Sequence, residues 1–144
     1  MTAATSSQRA TQDGFSLVEL LVVLLIIGIL AAIALPVFLT QRAKGQDADA
    51  KHSARSVAGL VEVCSTSTED YRSCTDPADL RDAGVTFGSG QGQVEVAAAA
   101  QREYAVTAHS RSGTDFVLAR VASGGQQRTC TQSGHGGCDA SGGW

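Results

Sequence analysis

One acidic side chain, Glu19, stands at the head of a stretch that carries no charge from Leu20 to Leu39. An ionised carboxylate taken into lipid costs about 3 kcal/mol or more, so a glutamate in that place implies a partner or a task. Four cysteines, Cys64, Cys74, Cys130 and Cys138, can form two bridges in three ways and suit an oxidising compartment. Cys130, His135 and Cys138 fall close together, but zinc sites usually present two tight ligand pairs, so no metal is expected. His52 and His109 have no apparent partners in the sequence. There is no recognised Ser/His/Asp spacing, no phosphate-binding loop followed by lysine and no flavin or nicotinamide fingerprint. The expectation is a chain that is not an enzyme and needs no cofactor.

The elements that must position these residues begin with the apolar stretch itself. As an α-helix, residues 20–39 would be about 30 Å long, the thickness of a bilayer's hydrocarbon core. The helical period continues beyond it. Ala50, Ala54, Val57, Val61 and Cys64 recur at alternating spacings of four and three, an apolar stripe one helix face wide. Asp47, Asp49, Lys51, His52 and Arg55 lie between them and suit a solvated face. One helix over about 15–64 follows, apolar all round in its first half and amphipathic in its second. Gly45 is placed to loosen it, and Gly59 to let something pack close. Pro36 lacks an N–H and crowds the turn before it, so it marks a kink or a hinge.

Residues 65–92 lose all period and read as a long connecting loop, with a turn of helix at 76–80 capped by Asp76 and opened by Pro77. Residues 93–99, the alternation of Tyr104, Val106 and Ala108, a strand around Phe116 and Leu118 that is apolar on both faces, and residues 127–130 read as strands. Ser112-Gly113 and Gly124-Gly125 are turn signals between antiparallel neighbours. The fold class is α+β: a long N-terminal helix packed on a small antiparallel sheet. Its divisions are 1–14, 15–39, 40–64 and 65–144. With 144 residues, sixteen glycines and few aromatics, the part beyond the apolar stretch has a thin core that needs staples. Net charge is −3 with no basic run, so nothing indicates direct nucleic-acid binding. The segment 131–144 is rich in Ser and Gly and would need tying down. Cys138 can do so covalently, and Trp144 by covering apolar sheet surface; otherwise Trp144 is a contact point.

Gly14, Phe15, Ser16, Leu17 and Glu19 fill every position of the G-F-[ST]-L-x-E junction. In this the chain resembles the type IV pilins and their pseudopilin relatives. The resemblance covers about the first third of the chain and implies a leader, 1–14, cut between Gly14 and Phe15 by a prepilin peptidase. The new amine on Phe15 would be N-methylated. Glu19 of an incoming subunit would meet the Phe15 amine of one already in place, burying two opposite charges together. The stretch 28–36 would lose helix on packing, with Gly28 and Pro36 as the hinge. The C-terminal disulfide loop of many pilins points to Cys130–Cys138, with Cys64–Cys74 as the other local bridge; the rival pairs Cys64 with Cys130 and Cys74 with Cys138.

The implied function is a structural subunit of a type IV pilus serving adhesion, motility or DNA uptake. Its partners would be other copies of itself, the membrane before assembly, and an assembly ATPase with its membrane platform. Its location would be the inner membrane first and an extracellular filament afterwards. Alternatives are a pseudopilin of a secretion or competence system and a monomeric membrane-anchored binding module. Two features run against the pattern. Asp13 replaces the basic residue often found before the cut, and Arg42 and Lys44 lie beyond the apolar stretch, which by charge alone favours the opposite orientation. The resemblance keeps the leader cytoplasmic.

Overall fold

In the computed structural model, which describes residues 14–80 and 83–144, one long helix is followed by a four-stranded antiparallel sheet. Helix α1 runs Leu17–Thr68, and the strands are β1 (Val94–Ala100), β2 (Glu103–His109), β3 (Asp115–Arg120) and β4 (Gln126–Cys130). The chain divides into two compact units, Met1–Val37 and Phe38–Trp144. Most of the expected leader, 1–13, lies outside the described residues.

Ser16 starts α1. Its hydroxyl accepts from the Glu19 N–H at 3.2 Å, and its carbonyl accepts from the Leu20 N–H. Four hydroxyls in a row end the helix: Ser65, Thr66, Ser67 and Thr68 each donate back to a carbonyl three or four residues earlier. Such side chains compete with the backbone and favour helix ends. Glu69 then takes a left-handed conformation (φ 55°), and its N–H closes the last turn on the Ser65 carbonyl. The helix therefore ends four residues later than the apolar stripe suggests.

In the first unit the large apolar residues are exposed, from Phe15 at 80% to Val23 at 46%. Within the second, Ala50, Ala54, Val57, Ala58 and Val61 are buried against the inner face of the sheet, formed by Val94, Tyr104, Val106, Ala108, Phe116 and Leu118. The alanines let backbone and sheet approach closely, and Leu80 from the connecting loop plugs the same core. That loop contains one turn of 3-10 helix, Tyr71–Cys74, capped by Asp70. Residues 76–80 form a hydrogen-bonded turn rather than a helix, although Asp76 does accept from the Ala78 N–H.

The sheet is a simple meander, β1-β2-β3-β4. Gly113 (φ 94°) and Gly124 (φ 88°) occupy turn positions that an L side chain rarely adopts, at the two turn signals read from the sequence. Gly59 is a correction. It is exposed, and among the described residues nothing beyond its own helix turn lies within 4 Å of where its Cβ would be.

Cys64 is bridged to Cys74 and Cys130 to Cys138, with Cα–Cα distances of 5.9 Å in both. The first bridge ties the end of α1 to the 3-10 turn; the second closes the loop after β4. Each joins near neighbours, so loop-closure arguments give about 2–3 kcal/mol apiece. Replacing Cys64 and Cys74 together by alanine should lower the unfolding free energy by about that much. Urea titration of the detergent-solubilised chain would measure it; an unchanged midpoint would show that the core holds the helix end without the bridge.

Candidate assembly site

The sequence Ser16-Leu17-Val18-Glu19 is an S-x-x-E capping pattern with glutamate at the third helical position. The structure forms the half in which the Glu19 N–H donates to the Ser16 hydroxyl. A carboxylate in the first turn also faces the positive end of the helix dipole. Glu19 thus has a local role that its apolar setting conceals, and the spacing to Ser16 was the readable signal. Its carboxylate oxygens make no hydrogen bond or ion pair among the described residues, and Glu19 is exposed. Phe15 is exposed beside it. Gly14 opens the described chain with nothing within 4 Å of its Cβ position.

Gly28 and Pro36 both lie inside α1, which continues through them as regular helix in this subunit. Proline returns no N–H to the Ala32 carbonyl, and Gly28 carries no side chain to restrict its backbone. Cys130 and Cys138 are joined to each other, which removes both thiolates from the neighbourhood of His135.

Two carboxylates that anchor the second unit were missed or misplaced by the sequence. Asp47, read as solvated, is 0% exposed. It accepts from the Ser110 hydroxyl at 2.8 Å, the Ser112 hydroxyl at 2.5 Å and the Gly137 N–H at 2.9 Å. Lys51, read the same way, is half-buried and donates to the Gly137 carbonyl. One helix turn thereby holds both the β2–β3 turn and the disulfide loop. The signal was present, since Asp47 continues the 50, 54, 57, 61 stripe one step earlier.

Near the other end of that stripe, Glu62 accepts from the Tyr71 hydroxyl at 2.7 Å, the Tyr104 hydroxyl at 3.0 Å and Arg120 Nη1 at 2.9 Å. Burial pushes the Glu62 carboxyl up, but the two hydroxyls and the Arg120 charge outweigh it and hold the group below its usual range. Burial, then the Glu62 carboxylate, pushes the Tyr104 hydroxyl up. His109, expected without partners, sits 2.8 Å from Asp115 through Nδ1 and 3.9 Å from Glu95 through Nε2. Strand register creates that cluster, opposing His109 to Asp115, and no sequence spacing announces it.

The family model for the prokaryotic N-terminal methylation motif matches residues 9–35. A fimbrial protein of Moraxella nonliquefaciens is 40% identical over 80 residues, 56% of this chain and 50% of that protein. The chain thus carries the N-terminal methylation motif and is similar to fimbrial proteins. A fimbrial protein of Pseudomonas aeruginosa is 35% identical over 91 residues, 59% of each chain. The fimbrial protein EcpC of Eikenella corrodens is 45% identical over 53 residues, 37% of this chain and 35% of that protein. The chain therefore spans about half the length of the curated relatives it matches. No solved structure gives a significant match. The α+β arrangement of long helix and antiparallel sheet agrees with the pilin resemblance.

Two outcomes test the carboxylate anchors. Asp47→Ala leaves two hydroxyls and one part-buried N–H without their acceptor, for which about 3 kcal/mol of stability should be lost. A loss under about 1 kcal/mol would mean that water replaces the carboxylate.

Because the folded Glu62 value is depressed, its contribution is present above the ordinary glutamate value of 4.5 and is lost as pH falls through the lower folded value. Asp70, held low by Arg72, and Asp139, held low by Ser141, act in the same direction. Stability should therefore fall on acidification below about pH 5, less steeply in Glu62→Gln. Equal slopes in both proteins, measured by denaturant titration at each pH, would remove Glu62 from the acid response.

Proposed function

We propose that this chain is the structural subunit of a type IV pilus filament, held first as a membrane-anchored precursor and then packed through α1. The observation that carries the reading is the Glu19 carboxylate, unpaired among the described residues, on an exposed apolar helix four residues from Phe15. Large apolar side chains from Phe15 to Leu39 are left exposed by this subunit, and either lipid or the same helix of other copies would cover them. Within either environment a lone carboxylate is strongly disfavoured. Cutting between Gly14 and Phe15 by a prepilin peptidase would create a cation, kept charged by N-methylation, that Glu19 of a neighbouring subunit would pair with. The apolar residues supply cohesion and the ion pair selects the axial offset. The divisions at 1–14, 15–39, 40–64 and 65–144 are then leader, filament core, amphipathic half-helix and displayed domain. An assembly ATPase with its membrane platform would drive extraction into an extracellular filament for adhesion, motility or DNA uptake.

The capping role of Ser16 and Glu19 provides the control. Glutamine preserves the S-x-x-E/Q capping pattern but has no charge, so Glu19→Gln should keep the helix start and still fail to assemble. Processed subunits beginning at Phe15 should accumulate in the membrane in both Glu19→Gln and Glu19→Ala. Filaments of normal number and length from Glu19→Gln cells would sink the ion pair and leave Glu19 as a cap. Mass spectrometry of the N-terminus reads the cut directly, and a start beyond Ala31 would indicate an ordinary secretory signal instead. For the hinge, a filament reconstruction in which α1 stays regular through 28–36 would reduce Pro36 to a local kink.

A further inference from the structure

Three cations converge on one aromatic ring at the edge of the sheet. The Arg55 guanidinium lies 5.0 Å from the Trp144 ring centre, that of Arg128 5.6 Å, and the Lys51 ammonium 5.8 Å. The indole is fixed from below: its Nε1 donates to the carbonyls of Val117 and Thr129, and its ring meets Phe116 edge-on at 5.8 Å. An indole face attracts a cation, but three cations around one ring repel each other. None of the three forms an ion pair with a carboxylate among the described residues. The ion pairs among the described residues involve Arg72, His109 and Arg120 only. On the helix, the residues three and four away from Arg55 are Lys51, His52, Ala58 and Gly59, none of them acidic. Across the sheet, Arg128 opposes Leu118. Of the acidic residues in the same helix turn and loop, Asp47 has both oxygens bonded to hydroxyls and a backbone amide, and Asp139 accepts through Oδ1 from Ser141 and the Gly143 amide; neither forms an ion pair with the three cations. In a chain of net charge −3, three of the eleven basic residues are thus gathered unpaired at one point. Arg55 and Arg128 are exposed there, and Lys51 is half-buried.

We propose that Lys51, Arg55 and Arg128, held around Trp144, form a seat for the carboxylate or sulfate groups of an acidic glycan. Guanidinium and ammonium groups both donate charge-assisted hydrogen bonds to carboxylate and sulfate oxygens. A nucleic acid is the poorer fit, because the ring a base would stack on is already taken by cations and three charges are few against the many phosphate contacts such binding uses. The seat belongs to the folded subunit and does not depend on filament assembly.

Trp144 is the chain's one tryptophan, so its fluorescence reports the site directly. With the full chain in non-ionic detergent, a heparin hexasaccharide and an oligogalacturonate of similar length should each change that emission saturably, the first reading sulfate and the second carboxylate recognition. Raising the salt should weaken both. A neutral dextran oligosaccharide should have no effect. Arg55→Gln with Arg128→Gln should weaken binding at least tenfold, the lysine pair Arg55→Lys with Arg128→Lys should restore most of it, and Arg42→Gln should change nothing. No saturable response to either anionic glycan would overturn the proposal. So would an undiminished response in the double glutamine variant. Equal loss in the lysine pair would assign the arginines to packing on the indole, and tighter binding of single-stranded DNA than of either glycan would give the seat to nucleic acid.

Discussion

The second unit depends on one stripe of small side chains, Ala50, Ala54, Val57, Ala58 and Val61, docking on one face of a four-stranded sheet. A core this thin gains little from any single side chain. Two carboxylates about four helical turns apart, Asp47 and Glu62, fasten the stripe at its ends. Asp47 gathers the β2–β3 turn and the disulfide loop, and Glu62 gathers the 3-10 turn, β2 and β3. Each collects donors from segments far apart in sequence, so neither network can form until helix, sheet and loops are all in place. The two disulfides act at the same two ends, one beside each carboxylate's partners.

The first unit obeys a different rule. From Leu17 its backbone satisfies itself as a helix, one of the two ways a chain can cross hydrocarbon, while its described large apolar side chains are exposed. The Ser16–Glu19 cap starts the helix at Leu17 and leaves the carboxylate oxygens free. The same glutamate can therefore serve the helix through its backbone and a neighbour through its side chain.

Sequence spacing carried much of this. The 3.6-residue period, the twenty-residue uncharged stretch and the G-F-S-L-V-E junction depend on local geometry and on solvent preference, which a linear pattern records directly. Strand positions and both glycine turns were legible for the same reason. Asp47 lay on the visible stripe but was assigned by its charge, because a buried carboxylate is sensible only once its three donors are known. Glu62, the His109–Asp115 contact and the cation cluster around Trp144 left no local trace. Glu62 and the cation cluster join residues tens of positions apart and His109 meets Asp115 across a turn, so only strand register and helix docking bring them together. The sequence alone determined the elements, their apolar faces and the family of the N-terminal segment. The tertiary structure decided which polar groups meet, because hydrogen bonds and ion pairs depend on distances of a few ångströms that no spacing along the chain encodes.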